Sequence, residues 1–181
     1  IPMLYYACKS SVKKYYLITS IVVVDNGDVY LVMYSWRNPY MKILLPIDGS
    51  KSSLNAAKYV AQLTSNMRTK CSVTLISVHD DFGLNHVKQF VSKSVVDDYL
   101  REISEKELKP AQKALDAAGV KHNMIIKRGH VAQEILATAT KEKFDMIVMG
   151  AKGRGGMLDL LIGSVAQRVA SSAKQPVLLV K

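Results

Sequence analysis

The sequence predicts an open, doubly wound α/β sheet with a separate β-hairpin in front of it. From residue 41 onward, five short apolar runs alternate strictly with four stretches whose apolar residues recur with a period of about 3.6. Most of these runs are apolar without interruption, which is typical of parallel strands covered on both faces. Five strands alternating with four helices predict a parallel sheet with helices on both sides.

The individual elements follow in chain order. The predicted strands are residues 43–47, 73–78, 124–126, 146–149 and 177–180. The helical periods are carried by Leu54, Ala57 and Ala61, then by Val96, Leu100 and Ile103, then by Ala132, Ile135 and Ala139, and last by Val165, Val169 and Ala173. Because Pro110 removes a backbone donor, we expect it to kink or divide the second helix, and we expect Gly119 to end that helix. Residues 80–93 show no clear period and are predicted to form a loop or lid.

The first forty residues differ from the rest. Residues 15–24 and 29–36 are rich in Tyr, Ile and Val, and the Asn26-Gly27 pair between them suits a tight hairpin turn. Met41 is a plausible initiator, so we expect residues 1–40 to be an appended or upstream-translated extension and residues 41–181 to be the α/β domain. A cleaved signal peptide is the alternative, although no small-residue cleavage pattern follows residues 15–24.

Composition excludes several classes of protein. The 181 residues are 49% hydrophobic and 22% charged, which suits one globular domain with an appendage. Residues 15–24 are too short for a membrane span, which needs about 18 to 20 residues. The net charge of +10 is spread along the chain, so nucleic acid is not expected as a partner.

The two cysteines, Cys8 and Cys71, cannot build a disulfide framework, and their spacing from the histidines fits no zinc pattern. A reducing compartment is the simpler assumption, and we expect a cytoplasmic protein without a metal site of its own.

Two loops are placed to bind a ligand, because ligands of open parallel sheets lie beyond the carboxyl ends of the strands. Asp48-Gly49-Ser50 follows the first strand, and the glycine-rich residues 150–156 follow the fourth. Those glycines are expected to take positive φ and to let the backbone approach a ligand. Gly163-Ser164 opens the last helix, whose free amides favour an anion, and Lys152 and Arg154 add positive charge. The alternative is that Gly150 and Gly153 only shape a turn and Ser164 only caps a helix.

Two common nucleotide motifs do not account for this loop. No glycine is followed by Lys-Ser or Lys-Thr, as the phosphate-binding P-loop requires. A dinucleotide fingerprint that begins at Gly153 has Gly155 in place, but Leu158 stands where its third glycine belongs. Both motifs are excluded.

The spacing that remains is Gly150, two residues, Gly153, nine residues, then Gly163 and Ser164. It resembles the nucleotide signature of the universal stress protein family, in its ATP-binding branch. The opening Ile-Leu-Leu-Pro-Ile-Asp-Gly-Ser of residues 43–50 and the closing Pro-Val-Leu-Leu-Val of residues 176–180 support the resemblance, which covers residues 41–181. It implies a Rossmann-like fold of the adenine nucleotide alpha hydrolase-like type, with strand order three, two, one, four, five.

The resemblance also implies a set of contacts with ATP, accompanied by Mg²⁺. Ile47 and Asp48 would face the ribose or adenine, Val78 the adenine, Met149 and Gly150 the ribose, Gly153 and Arg154 the phosphates, and Gly163, Ser164, Val165 and Ala166 the phosphates through amides and a hydroxyl. Relatives often have an acidic residue and a proline before the third helix, whereas this chain has Gly129-His130-Val131.

Other polar residues favour structural roles. Asp80 and Asp81 are expected in a solvated loop, His79 at a strand end near the adenine edge, and Cys71 as a packed thiol. No catalytic residue is predicted.

The expected function is a nucleotide-sensing regulatory or stress-response protein that acts through partners. Slow ATP hydrolysis or autophosphorylation and a nucleotide-free interaction module remain alternatives; adenylation chemistry is disfavoured because residues 48–52 lack its Ser-Gly-Gly loop. The apolar last strand predicts a homodimer through that edge, and the alternative is a monomer whose edge is covered by the hairpin.

Overall fold

A computed structural model describes residues 19–25, 28–34, 40–66, 70–80, 93–155 and 162–181, and the chain divides into two units, Ile1–Pro39 and Tyr40–Lys181. In the first unit, β1 (Thr19–Asp25) pairs with β2 (Asp28–Tyr34) in antiparallel register, with Asp25 opposite Asp28. The predicted hairpin is therefore present as two strands. Its turn residues, 26 and 27, lie outside the described residues.

The second unit is the predicted alternation of strands and helices. Its elements are β3 (Tyr40–Pro46), α1 (Lys51–Ser65), β4 (Lys70–His79), α2 (Lys93–Ala117), β5 (His122–Arg128), α3 (Val131–Lys141), β6 (Met146–Gly150), α4 (Ser164–Ser172) and β7 (Val177–Val180). The five strands pair in parallel in the order β5-β4-β3-β6-β7. Counted within this unit, the order is three, two, one, four, five, and the fold prediction is confirmed.

The chain reverses its direction of winding between β3 and β6, which are neighbours in the sheet but far apart in sequence. Right-handed crossovers then put α1 and α2 on one face and α3 and α4 on the other. On the α3 and α4 face, Leu44, Ile76 and Ile147 of the strands pack against Ile135 and Val169 of the helices. At the carboxyl ends of β3 and β6 the chain leaves the sheet towards opposite faces, so a cleft is expected between these two strand ends.

Two sequence expectations were wrong in detail. The strand predicted at residues 124–126 is part of β5, at the sheet edge, where Met124 and Ile126 are 46% and 36% exposed instead of covered. Helix α2 runs through Pro110, so of the two expected effects, a kink or a division, the division is wrong. Pro110 and Lys106, whose carbonyl oxygen loses its donor, lie on the exposed side of α2, where water can replace the bond. Gly119, at φ +67°, follows the end of α2 as predicted.

The predicted loop at residues 80–93 falls almost entirely outside the described residues, of which Asp80 and Lys93 are its ends. Within the described ranges, the helices lack the combination of length and hydrophobicity that a membrane crossing requires.

Candidate functional site

A cleft of about 500 Å³ opens at the carboxyl ends of β3 and β6. The eleven residues singled out from the sequence all border it: Ile47, Asp48, Val78, Met149, Gly150, Gly153, Arg154, Gly163, Ser164, Val165 and Ala166. They come from four separate segments of the chain, which the reversal of winding brings together. The volume lies within the range of about 300 to 1,000 Å³ that is common for small-molecule sites.

One wall of the cleft is apolar. Ile47, Val78 and Met149 stand at the ends of three strands and are at most 9% exposed. Val131 and Ile135, from the first turns of α3, complete this wall and were not predicted. The helical period of the apolar residues in α3 was visible in the sequence. The reversal of winding between β3 and β6 could have indicated that the first turn of α3 faces the cleft. A flat apolar group fits against such a surface.

The N-terminus of α4 forms another part of the lining. Gly163 is the N-cap, with φ −72° and ψ 154°, and the first intrahelical bond runs from the amide of Gln167 to the carbonyl oxygen of Gly163, at 2.9 Å. Residues 164–166, whose amides precede that bond, border the cleft. Ser164 is the first helical residue and is exposed, so the alternative in which Ser164 only caps the helix is wrong.

Close packing explains the glycine at position 150, where the glycine-rich segment begins. Among the described glycines only Gly49, Gly119 and Gly129 have positive φ, so the expectation of positive φ at Gly150 and Gly153 was wrong. A Cβ atom at Gly150 would lie 2.7 Å from the backbone of Ser52 and Ser53, in the first turn of α1. Gly150 thus allows α1 to approach the end of β6.

Asp48 lies at the mouth of the cleft. Its Oδ1 accepts from the amide of Ser50 at 3.0 Å, and a Cβ atom at Gly153 would lie 3.0 Å from its Oδ2. Burial alone would raise the pKa of Asp48, but hydrogen bonds from Ser50 and Ser53 and the charge of Arg154 outweigh it, and the pKa is lowered. Asp48 is therefore a carboxylate at neutral pH.

Arg154 reaches from the cleft to a carboxylate on the other face of the sheet. Its Nη1 donates to Oε1 of Glu107, in α2, at 2.5 Å. The Arg154 side chain is 57% exposed, whereas that of Glu107 is 11% exposed. Burial raises the pKa of Glu107, opposed by the charge of Arg154 and reinforced by that of Asp48. Glu107 lies in the middle of a helix rich in Lys and Glu, and no sequence signal distinguished it.

His79 belongs to the same buried cluster. Its Nε2 lies 2.8 Å from Oγ of Ser104, 3.2 Å from Oγ of Ser77 and 3.8 Å from Oε2 of Glu107. Burial, and then the charge of Arg154, lower the pKa of His79. His79 ends β4, as expected for a strand-end residue with a structural role; it is 9% exposed and is not among the residues that line the cleft.

The hydroxyl of Ser52 joins the glycine-rich loop to the edge strand. Its Oγ accepts from the amide of Lys152 at 3.3 Å and donates to the carbonyl oxygen of Val180 at 3.0 Å. The first turn of α1 therefore contacts both the cleft and β7.

The remaining candidates lie apart from the cleft. Cys71 is partly buried at the start of β4, and burial raises the pKa of its thiol, as a packed cysteine requires. Asp80 is exposed, and Asp81 lies outside the described residues. Nowhere in the described part of the chain do three or more His, Cys, Asp or Glu side chains gather as a metal site would require.

The fold and the cleft define a doubly wound α/β protein with a helix N-terminus and cations at its switch point. Residues 39–181 match the model of the universal stress protein family. The chain belongs to that family.

Individual relatives extend this finding. Universal stress protein MJ0531 of Methanocaldococcus jannaschii is 34% identical over 169 residues, which are 93% of this chain and 91% of that protein. Residues 41–181 are 141 of the 181 residues, so this match extends into the first forty.

Solved structures show the same fold. The structure of MJ0577, a universal stress protein of the same organism, is 30% identical, covers 80% of this chain and 97% of its own, and has a TM-score of 0.69. An Archaeoglobus fulgidus universal stress protein in complex with dAMP is 18% identical, covers 80% of this chain and all of its own, and has a TM-score of 0.57. At that identity the likeness shows the fold alone.

Proposed function

We propose that this universal stress protein binds ATP, with a divalent cation on the phosphates, in the cleft between β3 and β6. The observation that carries the proposal is the convergence of the α4 N-terminus with Lys152 and Arg154 on one side of the cleft. Free amides at a helix N-terminus and mobile cations are a standard arrangement for phosphates. A triphosphate would contact the amides of residues 164–166 and the two side chains.

The base would lie on the apolar wall. Ile47, Val78 and Met149 present an apolar surface at the strand ends, which suits a flat heterocycle. Asp48, ionised and at the mouth of the cleft, is placed to accept hydrogen bonds from ribose hydroxyls. The A. fulgidus protein of the same fold is solved in complex with dAMP, so an adenine nucleotide is a ligand that this fold can hold.

We assign a sensing role to the site in place of a dedicated catalytic one. Among the described residues that line the cleft, Asp48 is the sole carboxylate, and no histidine lines it. A carboxylate with a lowered pKa is a weak general base, so it activates water poorly. We propose a cytoplasmic regulatory protein of the stress response that acts through partners, as a homodimer. Slow hydrolysis or autophosphorylation is the second candidate.

Isothermal titration calorimetry with MgATP, AMP and adenosine tests the proposal, together with mass spectrometry of any ligand released from the purified chain. We expect MgATP to bind in one-to-one stoichiometry and more tightly than adenosine, because the phosphate wall adds contacts. Absence of binding by all three ligands would identify a nucleotide-free interaction module instead. Phosphate release from MgATP, measured in parallel, separates storage of the nucleotide from slow hydrolysis.

A further inference from the structure

The ion pair between Arg154 and Glu107 connects the proposed phosphate site to a buried polar cluster. Glu107 extends from α2 beneath the turn at Gly49, where a Cβ atom would lie 3.0 Å from its Cγ. Its Oε1 accepts from Arg154, while its Oε2 is buried 3.8 Å from Nε2 of His79, beyond ordinary hydrogen-bond distance. Glu107 thus depends on Arg154 for the neutralisation of its charge.

Arg154 has two competing partners in this geometry. It borders the cleft, and at 57% exposure it is free to turn towards a phosphate. One guanidinium can pair with Glu107 or with a phosphate of higher charge, and the doubly or triply charged group attracts it more strongly. Departure of Arg154 would leave Glu107 as a buried anion without a cation, which is costly.

Resting on the proposed nucleotide site, we propose that Glu107 is a positioning residue that holds Arg154 before a phosphate binds. Phosphate binding moves Arg154 off Glu107, and the Glu107–His79 pair then takes up one proton from solvent. The proton adds to the Glu107 carboxylate or to the imidazole of His79, 3.8 Å from Oε2. Either product neutralises the buried charge, so the net uptake is the same.

The groups that face Glu107 favour this exchange. They are Arg154 from the loop after β6, His79 and Ser77 from β4, and Asp48 from the loop after β3. Burial and the charge of Asp48 raise the pKa of Glu107, and Arg154 opposes them. Burial lowers the pKa of His79, and Arg154 lowers it further. Removal of Arg154 therefore raises the pKa of both groups, which gives proton uptake as the sign of the effect.

The test is calorimetry of MgATP binding to the full chain at about pH 7 in buffers of different ionisation enthalpy, which counts the protons taken up. The wild type is compared with Glu107→Gln, which keeps the size of the side chain but has no charge to neutralise. We expect proton uptake in Glu107→Gln to be smaller by at least about half a proton. MgATP should bind Glu107→Gln about two- to fivefold more tightly, since a competing ion pair of ordinary strength is gone.

Glu105→Gln is the matched control, because Glu105 lies in the same helix, is 56% exposed and pairs with Arg101 away from the cleft. It makes the same change in net charge and should leave uptake and affinity at wild-type values. Adenosine, which carries no phosphate, should bind without proton uptake in all three proteins.

The outcomes separate the two proposals. Equal proton uptake in wild type and Glu107→Gln, with MgATP bound by both, overturns the exchange and leaves the nucleotide site intact. Failure of the wild type to bind either MgATP or adenosine overturns both. If Glu107→Gln does not fold, the comparison of proton uptake by the wild type with MgATP and with adenosine decides the question. Equal proton uptake with the two ligands contradicts the exchange.

Discussion

The amide of Gly163 donates to the carbonyl oxygen of Ala151 at 2.8 Å. This bond joins the N-terminus of α4 to the first residue after β6, although twelve positions separate the two in sequence. The helix N-terminus and the glycine-rich loop are therefore held as one surface, whatever the path of the residues between them. The phosphate wall of the cleft rests on this contact.

Replacement of Gly163 by Asp should remove most of the affinity for MgATP. The carboxylate would stand at the N-cap, where it occupies the helix amides and repels phosphate. A loss of about 3 kcal/mol corresponds to binding on the order of a hundredfold weaker. Because Asp is a favoured N-cap residue, the thermal stability of the chain should not fall.

Gly163→Asn is the control for this change, since it has the same shape and capping ability without the charge. Calorimetry should find a clearly smaller loss for Asn than for Asp. Unchanged MgATP affinity in the Asp variant would contradict the placement of the phosphates at α4.

Replacement of Gly150 by Ala should destabilise the α/β unit. The new Cβ would lie 2.7 Å from backbone atoms of the first turn of α1, so the helix or the strand must shift. Overpacking of this kind costs about 1 to 3 kcal/mol. Thermal unfolding followed by circular dichroism measures it, and Gly155→Ala, whose Cβ would meet no described atom within 4 Å, should melt as the wild type does.

A chain that starts at Met41 should fold and bind MgATP. The deletion removes only Tyr40 from β3, and Tyr40 is 47% exposed. Cooperative melting and an unchanged affinity would agree with residues 1–40 being dispensable for the site. Insolubility or a non-cooperative melt would show that the extension is part of the core, and the match of MJ0531 to part of this extension makes the experiment informative.

The homodimer proposed through β7 can be tested by light scattering. The amide of Ala151 bonds to Val180 and that of Ile147 to Pro176, so the alternation along the strand turns the backbone groups of Val177 and Leu179 outwards. A stable dimer should bury about 1,200 to 2,000 Å². Leu179→Lys should dissociate it.

Leu179→Ala serves as the control for Leu179→Lys, because Leu179 also packs against the core and both changes remove that packing. A dimeric mass for the Lys variant would contradict the edge contact. A monomeric wild type that dimerises only after removal of residues 1–40 would favour an edge covered by the hairpin.

The alternation of strands and helices and the polar wall of the cleft could be predicted because each depends on local patterns, whereas the strand order came from the resemblance to the family. Uninterrupted apolar runs separated by helical periods leave few topologies for five strands, and the spacing of Gly150, Gly153 and Gly163 lies within one short segment. The exposure of Met124 and Ile126 could not be predicted from such local patterns. An apolar run looks alike in a central strand and at an edge, and β5 is at the edge.

Glu107 shows why part of the site escaped prediction. In sequence it is one of several charged residues along α2, and its burial arises only because α2 passes under the turn at Gly49. The role of Gly150 was misread for a related reason. A glycine is visible in the sequence, but the helix backbone that approaches it is not, so positive φ was expected where close packing is the cause.

The oxygen atom of Ser52 ties together two segments that are remote in sequence. It accepts from the amide of Lys152 in the loop of the cleft and donates to the carbonyl oxygen of Val180 in the edge strand. The amide of Ala151 bonds to the same carbonyl oxygen at 2.7 Å. The glycine-rich loop and the end of the sheet therefore share one hydrogen-bonded corner, and the floor of the cleft is as firmly anchored as the strand beside it.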